Sequence, residues 1–172
     1  MLPSFLLALV LAGTFDVTGQ LGVNAPFGSL EFNHQGGITG GLALGYNAGR
    51  SHVELLNELS LLPGSQQAAY SLVDYRVGAA YHYALTQTID WLLRAGLGLD
   101  WNNLRRRLGS VTETGSVMGG TLAFTYVRRF GHPQFSFQLF GSELLEFGES
   151  GSDRTLVPAT RVGFKIGAGY EF

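Results

Sequence analysis

From Ile89 to Trp101 the chain alternates with a period of two. Ile89, Trp91, Leu93, Ala95, Leu97, Leu99 and Trp101 occupy one set of positions, and Asp90, Leu92, Arg94, Gly96, Gly98 and Asp100 the other. A helix would mix the two sets around its axis, whereas a strand sends them to opposite faces. The carboxyl-terminal segment repeats the arrangement. Pro158, Thr160, Val162, Phe164, Ile166, Ala168, Tyr170 and Phe172 share one face, and Arg161, Gly163, Lys165, Gly167, Gly169 and Glu171 share the other. Tyr75, Val77, Ala79, Tyr81 and Tyr83 alternate with Arg76, Gly78, Ala80 and His82. Leu122, Phe124 and Tyr126 alternate with Thr121, Ala123 and Thr125.

This pattern predicts eight strands, at 14–23, 38–46, 51–60, 69–83, 89–101, 116–129, 135–147 and 158–172. The connections between them, at 24–37, 47–50, 61–68, 84–88, 102–115, 130–134 and 148–157, alternate long and short. An antiparallel up-and-down barrel with tight turns at one end and longer loops at the other has this spacing. The short connections carry turn residues, Asn47-Ala48-Gly49-Arg50 and Gly131-His132-Pro133-Gln134. No second domain or low-complexity linker interrupts the series.

Alternation alone does not say which face points outward, and here composition decides. Only 14% of the residues are charged, against about 25% in ordinary soluble proteins. The face opposite the apolar one is largely Gly, Ala, Ser and Thr, a poor surface for water. An eight-stranded barrel has an interior just wide enough for side chains to fill it. Small residues and scattered charges fit that space; rows of Trp, Tyr, Phe and Leu from every strand would crowd it. The aromatics also gather near strand ends, at Trp91 and Trp101, Tyr81 and Tyr83, Phe135 and Phe137, Tyr170 and Phe172, as in the two interfacial girdles of a membrane barrel. The predicted fold is therefore all-β, an eight-stranded antiparallel up-and-down transmembrane β-barrel formed by residues 13–172.

The remaining composition narrows the function classes. A net charge of −2 lacks the basic excess of a nucleic-acid binder, so no nucleic acid is expected as a partner. Without cysteine there is no disulfide framework, thiol catalysis or cysteine metal site. Leu2 to Ala12 is uncharged and apolar. It is too short to span a bilayer as a helix and has the length of a signal-peptide core, with Val10-Leu11-Ala12 as a small-residue cleavage pattern. Residues 1–12 are read as a signal peptide, although no Lys or Arg follows Met1.

The carboxyl terminus carries a resemblance. Phe164, Ile166, Ala168, Tyr170 and Phe172 are apolar at alternate positions and end on an aromatic residue. This resembles the terminal strand of bacterial outer-membrane proteins. With eight strands in one short domain, the chain is similar to the small OmpA/OmpX-type barrels. The resemblance implies residence in the outer membrane and contact with its lipids and lipopolysaccharide. It also implies that the last strand is the signal read by the barrel-assembly machinery. No cofactor is implied, and the extracellular ligand is unknown.

The inward face then carries the candidate chemistry. Glu54, Glu58, Asp74, Arg76, His82, Asp90, Arg94, Arg161 and Lys165 are expected to form a mixed-charge network in the lumen, with Asp16, His52, Asp100 and Glu171 also facing inward. Buried charges must be paired, so Glu58 is expected near Arg76 or Asp74, and His82 near Asp90. His52, His82 and Asp90 could offer a transition-metal site, but structural hydrogen bonding is the preferred reading and no metal is expected. Arg105, Arg106 and Arg107 are expected in the 102–115 loop, placed to pair with lipopolysaccharide phosphates. Phe27, Leu30 and Phe32 make the 24–37 loop apolar. His34 and His132 are read as solvated, and Glu149 and Asp153 give the 148–157 loop an acidic character.

Three functions fit. The leading one is a non-enzymatic outer-membrane barrel with a plugged lumen, serving envelope integrity or surface binding through its long loops. The others are a narrow channel or small-ligand binder using the lumen, and a lipid-modifying enzyme. The last would need a Ser–His pair with an orienting acid. His132 and Ser136, with Glu143 and Glu146 following, lie close in sequence, but the serine falls on the inward parity.

Overall fold

The computed structural model describes residues 13–27, 35–64, 70–108, 111–145 and 160–172. They form eight strands: β1 (Thr14–Phe27), β2 (Gly37–Ala48), β3 (Ser51–Leu62), β4 (Tyr70–Gln87), β5 (Trp91–Leu108), β6 (Val111–Arg129), β7 (Pro133–Leu145) and β8 (Thr160–Glu171). Each strand pairs antiparallel with the next, and β8 closes on β1, leaving no open edge. The expected topology is observed.

The register is staggered around the ring. The partners of Glu143 run through Gly120, Leu99, Ala79, Leu55, Leu44, Val17 and Tyr170, and the path returns to β7 at Pro133. Such a stagger tilts the strands and closes the barrel. Tight turns gather at one end. Gly49 begins the two-residue turn before β3 at φ +60°, and Gly131 lies in the β6–β7 turn at φ +76°. Both angles are in the left-handed region that glycine enters without steric cost.

The outward face is apolar around the whole ring. Leu21, Leu42, Leu97, Leu122 and Ile166 are each more than half exposed, which in water would be a surface of the wrong kind. Around a closed barrel it is a lipid-facing belt. On β5 the belt runs from Trp91 to Trp101. At about 3.3 Å per residue and a tilt of about 45° it stands about 23 Å tall, close to the apolar band of outer-membrane barrels. Ring pairs mark the short-turn end, with Phe15 against Tyr46 and Tyr170 against Phe172, both at 5.1 Å. At the opposite border polar pairs take over: Asn57 Nδ2 donates to Tyr75 Oη at 2.9 Å, and Ser116 Oγ donates to Asn103 Oδ1 at 2.8 Å.

Three features depart from expectation. β5 and β6 continue beyond the belt as a paired hairpin up to Leu108 and Val111, so most of the expected 102–115 loop is strand. The alternation of apolar and polar residues stops at Trp101, where the apolar belt ends; the backbone pairing does not. Phe27 ends β1 instead of lying in a loop. Ile89 precedes β5 and is 90% exposed, because Thr88 closes the turn, its Oγ1 bonding both the backbone N–H and the carbonyl of Trp91. The expected signal peptide, Leu30, Phe32, His34, Glu146, Glu149 and Asp153 lie outside the described residues.

Candidate functional site

The inward face is built from β-strand parity. Every second residue of each strand enters the lumen, where buried polar groups need partners. Most of the charged ones pair in two layers.

In the layer toward the long-strand end, Glu58 on β3 stands opposite Arg76 on β4. One oxygen of its carboxylate accepts from Arg76 Nη2 and the other from Lys165 Nζ on β8, across the lumen. Arg76 also approaches Asp100 at 3.6 Å. Asp100 accepts from Thr121 Oγ1 at 2.9 Å and from Asn102 Nδ2 at 2.5 Å. Arg161 on β8 donates to Asp74 at 2.6 Å and to Asn102 at 3.4 Å. Lys165 Nζ lies 4.6 Å from the centre of the Phe140 ring, within cation–π range.

In the layer toward the short-turn end, Asp16 on β1 accepts from Asn47 Nδ2 at 2.8 Å and lies 3.1 Å from His52 Nε2. Arg94 Nη2 donates to Asn47 Oδ1 at 2.5 Å. His52 and His82 are direct cross-strand partners, with ring centres 5.6 Å apart. Glu54 Oε1 lies 3.2 Å from His82 Nε2. At the mouth Glu171 accepts from Thr14 Oγ1 at 2.5 Å and pairs with Arg129 at 3.5 Å.

Glycines make room for these side chains. A Cβ on Gly45 would overlap His52 Nε2, one on Gly96 would overlap His82 Nδ1, and one on Gly119 would overlap Asp100 Oδ1. Between the layers, a cavity of about 20 Å³ is lined by Glu54, Arg76, His82, Gln138 and Lys165 among others. Buried apolar side chains stand at both ends of the lumen: Ala84, Leu92 and Val127 at the short-turn end, Leu62, Leu72 and Val117 at the other.

No family model and no curated protein matches the chain. Solved structures do match it. Neisserial surface protein A superposes with a TM-score of 0.72 at 13% identity, over 92% of this chain and 97% of that one. A major outer membrane protein of Thermus thermophilus gives 0.66 at 12% identity, over 94% and 100%. Ail, the attachment invasion locus protein of Yersinia pestis, gives 0.50 at 12% identity, over 93% and 97%. The fold is that of a small outer-membrane β-barrel.

In this barrel Glu54, Glu58, Asp74, Arg76, His82, Arg94, Arg161 and Lys165 all face the lumen. Asp90 does not. It sits in the turn before β5, largely exposed, 3.8 Å from Arg128, and His82 faces Glu54 instead. The turn closed by Thr88 takes Asp90 out of the strand and so out of the strand's parity.

The three arginines lie on β5, not in a loop. Arg105 and Arg107 point outward beyond the apolar belt, while Arg106 stands opposite Glu113 in the register. Phe164, Ile166, Ala168 and Tyr170 take the outward positions of β8, with Phe172 just past its end. His132 Nδ1 bonds the Glu171 carbonyl at 2.8 Å and its ring stacks on Tyr170. Ser136 lies on the lumen side, against Gly167, so these two do not assemble a hydrolase site.

Asn47 and Asn102 escaped the sequence reading because both fell in predicted connections. Each is buried and bridges a charged pair. Counting the strand parity one residue further at each end would have found them.

Proposed function

We propose that the chain is an integral barrel of the bacterial outer membrane with a non-conducting lumen, serving envelope integrity or surface binding. The observation that carries the closed lumen is the bridge of Glu58 to both Arg76 and Lys165, which ties β3, β4 and β8 together through the interior. The apolar side chains at both ends and the water-sized cavity between the layers support it. Planar-bilayer recording of the purified chain tests it: no steady current is expected, and a steady ion current overturns the reading. Membrane residence is tested separately by outer-membrane fractionation and heat-modifiable gel migration; a soluble periplasmic protein without a heat shift overturns that part.

The short-turn end, where both ends of the barrel meet, faces the periplasm in this reading, as in other even-stranded barrels. Residues 1–12 direct export, and β8 with Phe172 presents the assembly signal. The projecting β5–β6 hairpin is then extracellular. Arg105 and Arg107 stand on its outward side next to Thr112 and Thr114 in the register. Guanidinium groups just above a lipid belt suit the phosphates of lipopolysaccharide, which they bind bidentately. A double Arg105→Ala, Arg107→Ala barrel should bind lipopolysaccharide more weakly and with less salt dependence, while its binding to uncharged lipid stays the same. Equal affinity of both forms would remove the hairpin from this role.

A further inference from the structure

We propose that His52, Glu54 and His82 form a binding site for a divalent transition-metal ion of the zinc class. The side chains are buried, and one donor atom of each lies within 4.8 Å of the other two. The strand geometry explains the grouping. His52 and His82 are opposite one another on β3 and β4, and Glu54 is two residues along β3 on the same face.

Three observations point to an ion. First, His52 Nδ1 and His82 Nε2, the nitrogens that would meet the ion, are buried without a hydrogen-bond partner. Buried imidazole nitrogens are seldom left so. Second, Glu54 Oε1 lies 3.2 Å from His82 Nε2, yet the two are not aligned for a hydrogen bond. Two donors each about 2.0–2.1 Å from one tetrahedral zinc stand about 3.3 Å apart, so the spacing of this ion pair also suits two ligands of one ion. Asp16 meanwhile engages His52 Nε2 at 3.1 Å, which leaves Nδ1 for the metal. A carboxylate behind a ligating histidine is the usual support of such a site.

Third, the charges are unequal. Toward the long-strand end Glu58, Asp74 and Asp100 are matched by Arg76, Arg161 and Lys165. Toward the short-turn end Asp16, Glu54 and Glu171 lie beside Arg94 and Arg129, and the further cation in reach of Glu54 is Lys165, which Glu58 already holds. A cation at the histidines would offset the surplus carboxylate. Two imidazoles and a carboxylate select a borderline divalent ion rather than calcium or magnesium. Three protein ligands leave a fourth position for water.

The test uses the full chain, folded in detergent with Zn²⁺, passed through a desalting column and assayed for metal by atomic emission. About one equivalent per chain should be retained. His82→Gln and Glu54→Gln, each checked for folding by heat-modifiable migration, should lower affinity at least about tenfold. His132→Gln, at the exposed turn, should bind as the wild type does. Wild-type protein that retains no zinc overturns the proposal, and so does a folded His82→Gln that retains it fully. Should neither lumen variant fold, Cu²⁺ electron paramagnetic resonance of the wild type decides: coupling to two imidazole nitrogens supports the site, and a spectrum with fewer overturns it.

Discussion

Arg76 and Val77 are neighbours on β4 and live in opposite solvents. Arg76 is 2% exposed and held by Glu58 across the strand, while Val77 is 46% exposed toward lipid. The same contrast repeats around the barrel. Inside, stability depends on particular partners, because each buried charge is intolerable without its counter-charge. Outside, it depends on a property that many residues share, since any apolar side chain satisfies the lipid. The inner face is therefore specific and the outer face permissive.

Substitutions at four positions would break or sharpen this contrast, each read by reversible urea unfolding in lipid vesicles. The largest effect is expected from Glu58→Ala. It leaves Arg76 and Lys165 without their shared carboxylate and should cost about 3–5 kcal/mol, the usual loss when one partner of a buried ion pair is removed. Next is Leu97→Arg, midway between the two tryptophans of the β5 belt, at about 2–4 kcal/mol. Here the charge itself is at fault, so Leu97→Val should be close to neutral; a large loss with valine would mean that the outer face is specific too.

Gly96→Ala comes third. Its Cβ would overlap His82 Nδ1, and overpacking of this kind costs about 1–3 kcal/mol. Gly120→Ala is the matching change on the outer face. Its Cβ would meet nothing nearer than the Gly98 carbonyl at 4.0 Å, and the expected effect is within about 0.5 kcal/mol. Equal losses at Gly96 and Gly120 would erase the distinction between the faces.

The outward positions were legible because lipid imposes one rule on all of them. Leu97, Leu99 and Trp101 read as a strand face without knowledge of any neighbour. The lumen residues were legible only in part. Parity placed Glu58, Arg76 and Lys165 inside, and the hairpin placed Glu58 near Arg76 or Asp74; the register chose Arg76. Lys165 reaches Glu58 from β8, more than a hundred residues away in sequence, and no local spacing encodes that contact. The expected pairing of His82 with Asp90 failed because one turn residue, Thr88, removed Asp90 from the strand. The apolar alternation ends before Arg105, Arg106 and Arg107, so the sequence places them in a loop, although Thr112, Thr114 and Val117 continue the pairing opposite.

By itself the sequence determined that this chain is a ring of strands with its apolar face outside and its charges inside. Period-two alternation and scarcity of charge are local properties, and every strand carries them. The tertiary structure alone decided which charges meet. The stagger of the closed register sets which residues share a height in the lumen, and that stagger exists only once β8 has joined β1. Closure turns Glu58, Arg76 and Lys165 into a bridge, and it gathers Asp16 and Arg94 around the histidine pair.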